Sequence, residues 1–212
     1  MEQAADAGIK KRLREAGRKV FAERGLQNAT VREICALAGA NVAAVNYHFG
    51  GKEKLYVAVL EEHIQAGHRR YPLDAGVTPG SMPEERLHAY VRGSLLLVLG
   101  DGDKEYDSLA KLLMLELVEP SQHFSVLFDR HMRPNHDLLV SIVRDLLPGV
   151  DEERVARCAA SIAGQCVLFD FAKEAMLRVC PEMGLKASNI DRVTEFIMEF
   201  SLGGIARLRA GD

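Results

Sequence analysis

The chain has 212 residues, 48% hydrophobic and 27% charged, with a net charge of −3. That length and balance suit one large or two modest globular domains with a real core, and they exclude fibrous and disordered classes. No apolar run approaches the roughly 20 residues of a membrane span, and the acidic opening MEQAADAGIK is no secretory signal, so the expected location is the cytoplasm, away from membranes.

The elements read as helices throughout. Apolar residues recur from Ile9 through Leu13, Ala16, Val20 and Phe21, and Gly25 is the expected stop. Thr30 precedes Val31-Arg32-Glu33 in a capping-box arrangement that opens a second helix, with Ile34 and Ala38 on its apolar face. Ala38-Gly39-Ala40 makes a tight turn, Asn41 caps a short third helix from Val42 to about His48, and Gly50-Gly51 ends it. Lys52 opens a longer helix through Leu55, Val59 and Ile64 to about Arg70. Pro72 to Pro83 is a Gly- and Pro-rich loop. Beyond it, helices are expected from Pro83 to near Gly100, from Lys104 to Val118 and from Ser121 to Leu147, the last broken or kinked at Pro134. Two more run from near Asp151 to about Val179 and from Asn189 to about Arg209. No strand, repeat or low-complexity tract is evident, so the fold class is all-α.

A supporting helix followed by two short helices across a tight turn is a helix-turn-helix arrangement, in which the second short helix enters the DNA major groove. Ala36, Ala38, Gly39 and Ala40 are small where the two must pack closely, and Ala43 and Ala44 keep bulk off the inserted helix near base edges and thymine methyls. The hydroxyl and neighbouring amides of Thr30, with Lys52 at the next helix start, are placed for phosphates. Charge agrees: residues 1–54 hold ten Lys/Arg against six Asp/Glu, a basic end on an acidic body.

Thr30-Val-Arg-Glu-Ile34-Cys-Ala-Leu-Ala38-Gly39, followed by Asn46-Tyr47-His48-Phe49-Gly-Gly-Lys52-Glu-Lys-Leu55, resembles the TetR family of bacterial regulators over about residues 9–60. The resemblance implies about nine helices, a homodimer, a C-terminal domain that binds a small-molecule effector, and repression from a palindromic operator. It assigns residues 1–51 to DNA binding and 52–212 to ligand binding and dimerisation. The DNA-binding residues it implies are Thr30, Arg32, Asn41, Val42, Ala43, Ala44, Asn46, Tyr47, His48 and Lys52. Asn41 stands where Ser is common, Ala43 where Gly is frequent, and Asn46 where the family has Tyr. Asn46 either reads adenine through N6 and N7 or meets a phosphate or water. The run Ala-Asn-Val-Ala-Ala-Val-Asn-Tyr-His-Phe-Gly-Gly-Lys is similar to the CecR-type subgroup, echoed at Met114–Ser121, Met132–His136 and Gly164–Phe169. That subgroup implies control of export or drug-tolerance genes.

Two long terminal helices suit a four-helix dimer interface, for which Ala159, Ile162, Ala163, Cys166, Val193, Phe196, Ile197 and Phe200 are the candidates. The same stripes also suit an ordinary monomer core. Polar or soft residues on apolar faces mark an expected effector pocket: His88, Arg92, Met114, Glu116, Phe128, His131, Gln165 and Phe169. The helix from Lys52 to Arg70 is the expected link between motif and body.

An enzyme is the first rival. His48, His63, His68, His88, His123, His131 and His136 form no i, i+3 or i, i+4 pair, and there is no HExxH and no paired Glu-x-x-His. No G-x-S-x-G, P-loop or dinucleotide fingerprint is present either, so no enzyme, metal or cofactor is expected. The cysteines Cys35, Cys158, Cys166 and Cys180 have no CxxC spacing and read as free thiols. The other rival, a ligand-blind DNA-binding or partner-docking dimer, differs from a sensor only in lacking a cavity.

Overall fold

The computed structural model describes residues 2–99, 104–118, 120–121 and 124–210, so His123 and the expected helix end at Gly100 lie outside the described residues. Among the described residues every regular element is helical, in keeping with the 3.6-residue patterning. No described helix is long and apolar enough to cross a membrane. Packing groups the chain into two compact units, Met1–Ala66 with Gly102–Asp129, and Gly67–Asp101 with Arg130–Asp212.

The first unit holds α1 (Glu2–Asn28), α2 (Val31–Ala38), α3 (Ala43–Phe49), most of α4 (Lys52–Arg70), α6 (Lys104–Val118) and α7 (Phe124–Leu127). Its core takes Leu13, Ala16, Val20 and Phe21 from α1, Ile34 and Cys35 from α2, Val45 from α3, and Leu55, Tyr56, Val59 and Leu60 from α4. Val59 and Leu55 of α4 pack over Gly17 of α1, where a Cβ would stand 3.4 Å and 3.5 Å from them, in ordinary contact. Gly25, the expected stop, instead kinks α1, which runs on to Asn28, at a φ of 68° that only glycine adopts easily. The apolar face of α4 packs on α1 through Leu55, Tyr56 and Val59, and α6 packs on α1 as well, so both group with the helix-turn-helix in this unit.

The second unit is built around α5 (Pro83–Leu99), which packs on α8 (Arg133–Leu146), α9 (Glu152–Phe171) and α11 (Ile190–Arg209). Leu87, Val91 and Leu95 of α5 meet Leu139, Ile142 and Leu146 of α8 and Val155, Ala159 and Ile162 of α9 in one buried cluster. The break expected at Pro134 is a wide π-turn, Phe128–Met132, running into α8 with the proline in its first turn. Proline has no N–H for the residue four before it, and the wider turn accommodates that loss. The single helix expected from Asp151 to Val179 is instead two, α9 and α10 (Lys173–Val179), broken at Ala172 where φ is −112° and ψ is 8°.

One buried titratable group in the first unit sets a pH dependence. His63 on α4 is 9% exposed, and burial, then the Arg18 charge, pushes its imidazole down to about 4. The unfolded chain takes up a proton near the ordinary value of 6.5, while the folded chain stays neutral. Its stability contribution is therefore complete above about pH 6.5 and is lost as pH falls toward 4. At about 1.4 kcal/mol per pH unit the whole loss is on the order of 3 kcal/mol. The urea midpoint is expected to drop between pH 7 and 5, and His63→Gln to flatten that drop; an equal slope in both proteins contradicts this assignment.

Candidate nucleic-acid interface

The local sequence builds the helix-turn-helix through its caps. Thr30 Oγ1 accepts the Glu33 N–H at 3.2 Å, and the Glu33 carboxylate accepts the Thr30 N–H at 3.3 Å, the reciprocal box read from the sequence. Arg24 of α1 reaches the same carboxylate at 3.0 Å. At the other end of α2, Gly39 takes φ 60°, and its N–H closes on Ala36 and Cys35. Arg12 Nε donates to the Ala38 carbonyl at 3.0 Å, placing a cation on the negative end of α2. Asn41 Oδ1 accepts the Ala43 N–H at 2.9 Å, so Asn41 supports the start of α3 from one residue further out than expected. Thr30→Ala is expected to cost about 1 kcal/mol, read as a lower urea midpoint, with Thr30→Ser restoring most of it; no change would mean that the box contributes nothing.

α3 has two distinct faces. Val45 is fully buried, while Val42, Ala43, Asn46 and Tyr47 are exposed, Tyr47 at 79%. A short helix with small and polar outward residues and an exposed phenol is sterically fit for a major groove. Arg32 is exposed in the first turn of α2, and Ala44 is half-buried. Leu37 is also exposed, on α2, and nothing in the sequence pattern singled it out.

Two expected phosphate contacts are otherwise engaged. Lys52 Nζ donates to the carbonyls of Leu26 at 2.9 Å and Ala29 at 3.1 Å, tying the start of α4 to the link between α1 and α2. Those carbonyls end α1 without helical partners, and an ammonium satisfies them. The Thr30 hydroxyl donates to Glu33 at 3.0 Å and accepts the Glu33 N–H, so of the first-turn amides of α2 those of Val31 and Arg32 are the ones outside the box. His48 has a side chain only 6% exposed, 3.6 Å from Asp6 and edge-on to Tyr47.

The residues expected to form one effector pocket are shared between the two units. Met114, Glu116 and Phe128 are in the first unit, where Glu116 is buried, bonds the Tyr56 hydroxyl and accepts the Ser121 N–H at 2.9 Å. Phe128 is 40% exposed beside Phe124. In the second unit, His131 lies near His68, Phe169 is core, and Gln165 Nε2 donates to Ser201 Oγ at 3.3 Å. Only His88 and Arg92 line a groove, of about 1110 Å³, between the segment after α4, α5 and α11. His88 Nε2 is 3.1 Å from Glu195, and Arg92 Nε donates to Asp191 at 2.9 Å.

The expected interface residues divide similarly. Ala159, Ile162, Cys166, Val193 and Ile197 are buried in the second unit's own core, and Ala163 is half-buried against it. Phe196 and Phe200 are 65% and 68% exposed on the outer face of α11. Gly203 and Gly204 continue that face with open space around them, while Gly164, Val167 and Leu168 are exposed on α9. Among the described residues no group of three His, Cys, Asp or Glu could hold a metal ion.

Comparison with known proteins follows this division of the sequence. Residues 13–59 match the model for bacterial regulatory proteins of the tetR family, and residues 83–205 that for the C-terminal domain of the HTH-type transcriptional dual regulator CecR. The chain is 27% identical over 181 residues to the dual regulator CecR of Shigella flexneri, covering 79% of this chain and 78% of that protein. A bacterial regulatory protein of the tetR family from Rhodococcus RHA1 superposes with a TM-score of 0.66 at 19% identity, over 93% of this chain and 96% of that one. AibR, solved in complex with isovaleryl coenzyme A and operator DNA, superposes with a TM-score of 0.56 at 20% identity, over 76% of this chain and 85% of that one.

Proposed function

The chain belongs to the TetR family of bacterial regulators, with a CecR-like C-terminal domain, and from that premise we propose that it is a homodimeric repressor, acting in the cytoplasm, which a small molecule releases from a palindromic operator. The observation that carries this reading is the two-faced α3, with Val45 inside and Val42, Ala43, Asn46 and Tyr47 outside. Residues 1–51 supply the DNA contacts, and residues 52–212 supply the effector site and the dimer. Two copies of α3 about 34–36 Å apart would enter successive major grooves of one operator. Arg32 and the first-turn amides of α2 meet phosphates, while Asn46 reads an adenine. Lys52 and His48 hold the motif in shape.

The dimer forms through the outward faces of α9 and α11. Phe196 and Phe200 supply apolar area, and Gly164, Gly203 and Gly204 allow the backbones to approach. The effector occupies the groove beside His88 and Arg92. AibR, which shares the fold, combines operator DNA with an acyl-coenzyme A ligand, and that pairing supports a sensing body on a DNA-binding end. A ligand shifts the operator equilibrium only by its differential affinity for two conformations, so 100-fold release requires about 2.7 kcal/mol of coupling. The chain passes between the two units within α4, at Ala66 and Gly67, which supports α4 as the link.

Asn46→Ala provides the test. With duplexes selected by the wild-type protein, the variant is expected to lose roughly 5- to 150-fold in affinity and to stop discriminating at one base pair per half-site. A uniform loss across all sequences would assign Asn46 to the backbone, and an unchanged protein would remove α3 from the interface.

A further inference from the structure

The groove of the second unit has a chemistry of its own. Its floor is apolar, with Ala89 and Met198 buried and Leu96 and Leu202 half-buried. One wall is pressed onto α5 at Gly93, where a Cβ would stand 2.8 Å from the Pro72 carbonyl oxygen, so that wall sits at backbone contact. Over the floor stand four carboxylates, Glu84 and Glu85 from the first turn of α5 and Glu195 and Glu199 from α11. Glu85 accepts the Met82 N–H at 3.2 Å and Glu195 stands 3.1 Å from His88 Nε2, bonds to neutral or weakly basic groups that leave the carboxylate charge in place. Two guanidinium groups share the lining, but Arg92 already pairs with Asp191 at 2.9 Å. Arg70 lies over the Tyr71 ring, 5.2 Å from its centroid.

Negative charge is therefore in excess above an apolar surface, and the wall includes an aromatic ring that already carries a cation. An anionic ligand would approach like charges, and a neutral apolar one would cover carboxylates without answering them. A cation on an apolar body meets both demands.

We propose that this groove binds an amphipathic organic cation, a delocalised or quaternary charge carried on a compact apolar body. The proposal rests on the ligand-responsive reading above and names the class of effector. The apolar part lies along Ala89, Leu96, Met198 and Leu202, and the charge sits among Glu84, Glu195 and Glu199.

The experiment uses the full-length protein and two probes of one shape and opposite charge, tetraphenylphosphonium and tetraphenylborate, titrated calorimetrically in a low-salt sodium buffer. The phosphonium is expected to saturate one site per chain at least roughly tenfold more tightly than the borate. Glu195→Gln with Glu199→Gln, both at exposed positions, the glutamine keeping an oxygen for the His88 contact, is expected to weaken it roughly fivefold. Equal affinity for the two probes, tighter borate binding, or an indifferent double variant overturns the proposal. Operator binding by fluorescence anisotropy separates the two claims. Phosphonium that binds through the carboxylates yet leaves operator affinity unchanged keeps the site and refutes its effector role. Release of operator by some other compound, with no phosphonium binding, keeps the regulator and refutes the cation site.

Discussion

Replacing Phe196 and Phe200 together by Glu is expected to turn the dimer into a monomer and to lower operator affinity roughly 10²- to 10⁴-fold. The affinity of a dimer for a palindrome comes from its second half-site being held at high effective concentration, and the monomer lacks this. Each phenylalanine offers about 150–250 Å² of apolar surface, and each lies outside its own chain's core at 65% and 68% exposure. Four glutamates facing one another across a two-fold axis would have to be desolvated together, at a cost of several kcal/mol. The chain's own stability should hardly change, because neither ring is part of the buried cluster. Sedimentation at micromolar concentration reads the first effect and anisotropy on operator DNA the second. A variant that remains dimeric would move the interface away from α11.

Phe21→Ala is expected to destabilise the first unit by about 3–5 kcal/mol, a large part of the roughly 5–15 kcal/mol that holds a typical domain. Phe21 is fully buried, its ring edge-on to Tyr56 with centroids 5.1 Å apart. It also lies beside Gly17, where Leu55 and Val59 of α4 pack on α1. Alanine leaves a cavity among helix backbones that cannot collapse into it. Since α2 and α3 hang from α1, operator binding should fail at the temperature where the variant unfolds. Phe21→Leu, nearer in volume, should recover much of the loss. A cost below about 1 kcal/mol by urea denaturation would contradict this packing.

Much of the fold was legible because its signals are local. The Thr30–Glu33 box, the stop at Gly39 and the helix from Lys52 to Arg70 depend on residues within a turn or two of one another. What was not legible depended on partners far along the chain. The Lys52 ammonium bonds carbonyls at Leu26 and Ala29, more than 20 residues back along the chain. Glu116 bonds Tyr56, still more remote in sequence, as well as Ser121. On α11 two apolar pairs, Val193 with Ile197 and Phe196 with Phe200, have the same spacing about 60° apart around the helix. Periodicity shows two stripes and cannot say which meets the chain's own core. The break at Ala172 has neither proline nor glycine to announce it, and no physical cause for it is apparent.

The central claim is that the outward face of α3 reads a specific operator. The direct measurement is recovery of genomic fragments bound by the purified protein at a stated salt concentration, since affinities without the salt carry no meaning. The account predicts one recurring palindrome whose half-site centres lie one helical turn of DNA apart, or a whole multiple of it. Diffuse binding that falls with salt and yields no shared sequence would contradict it.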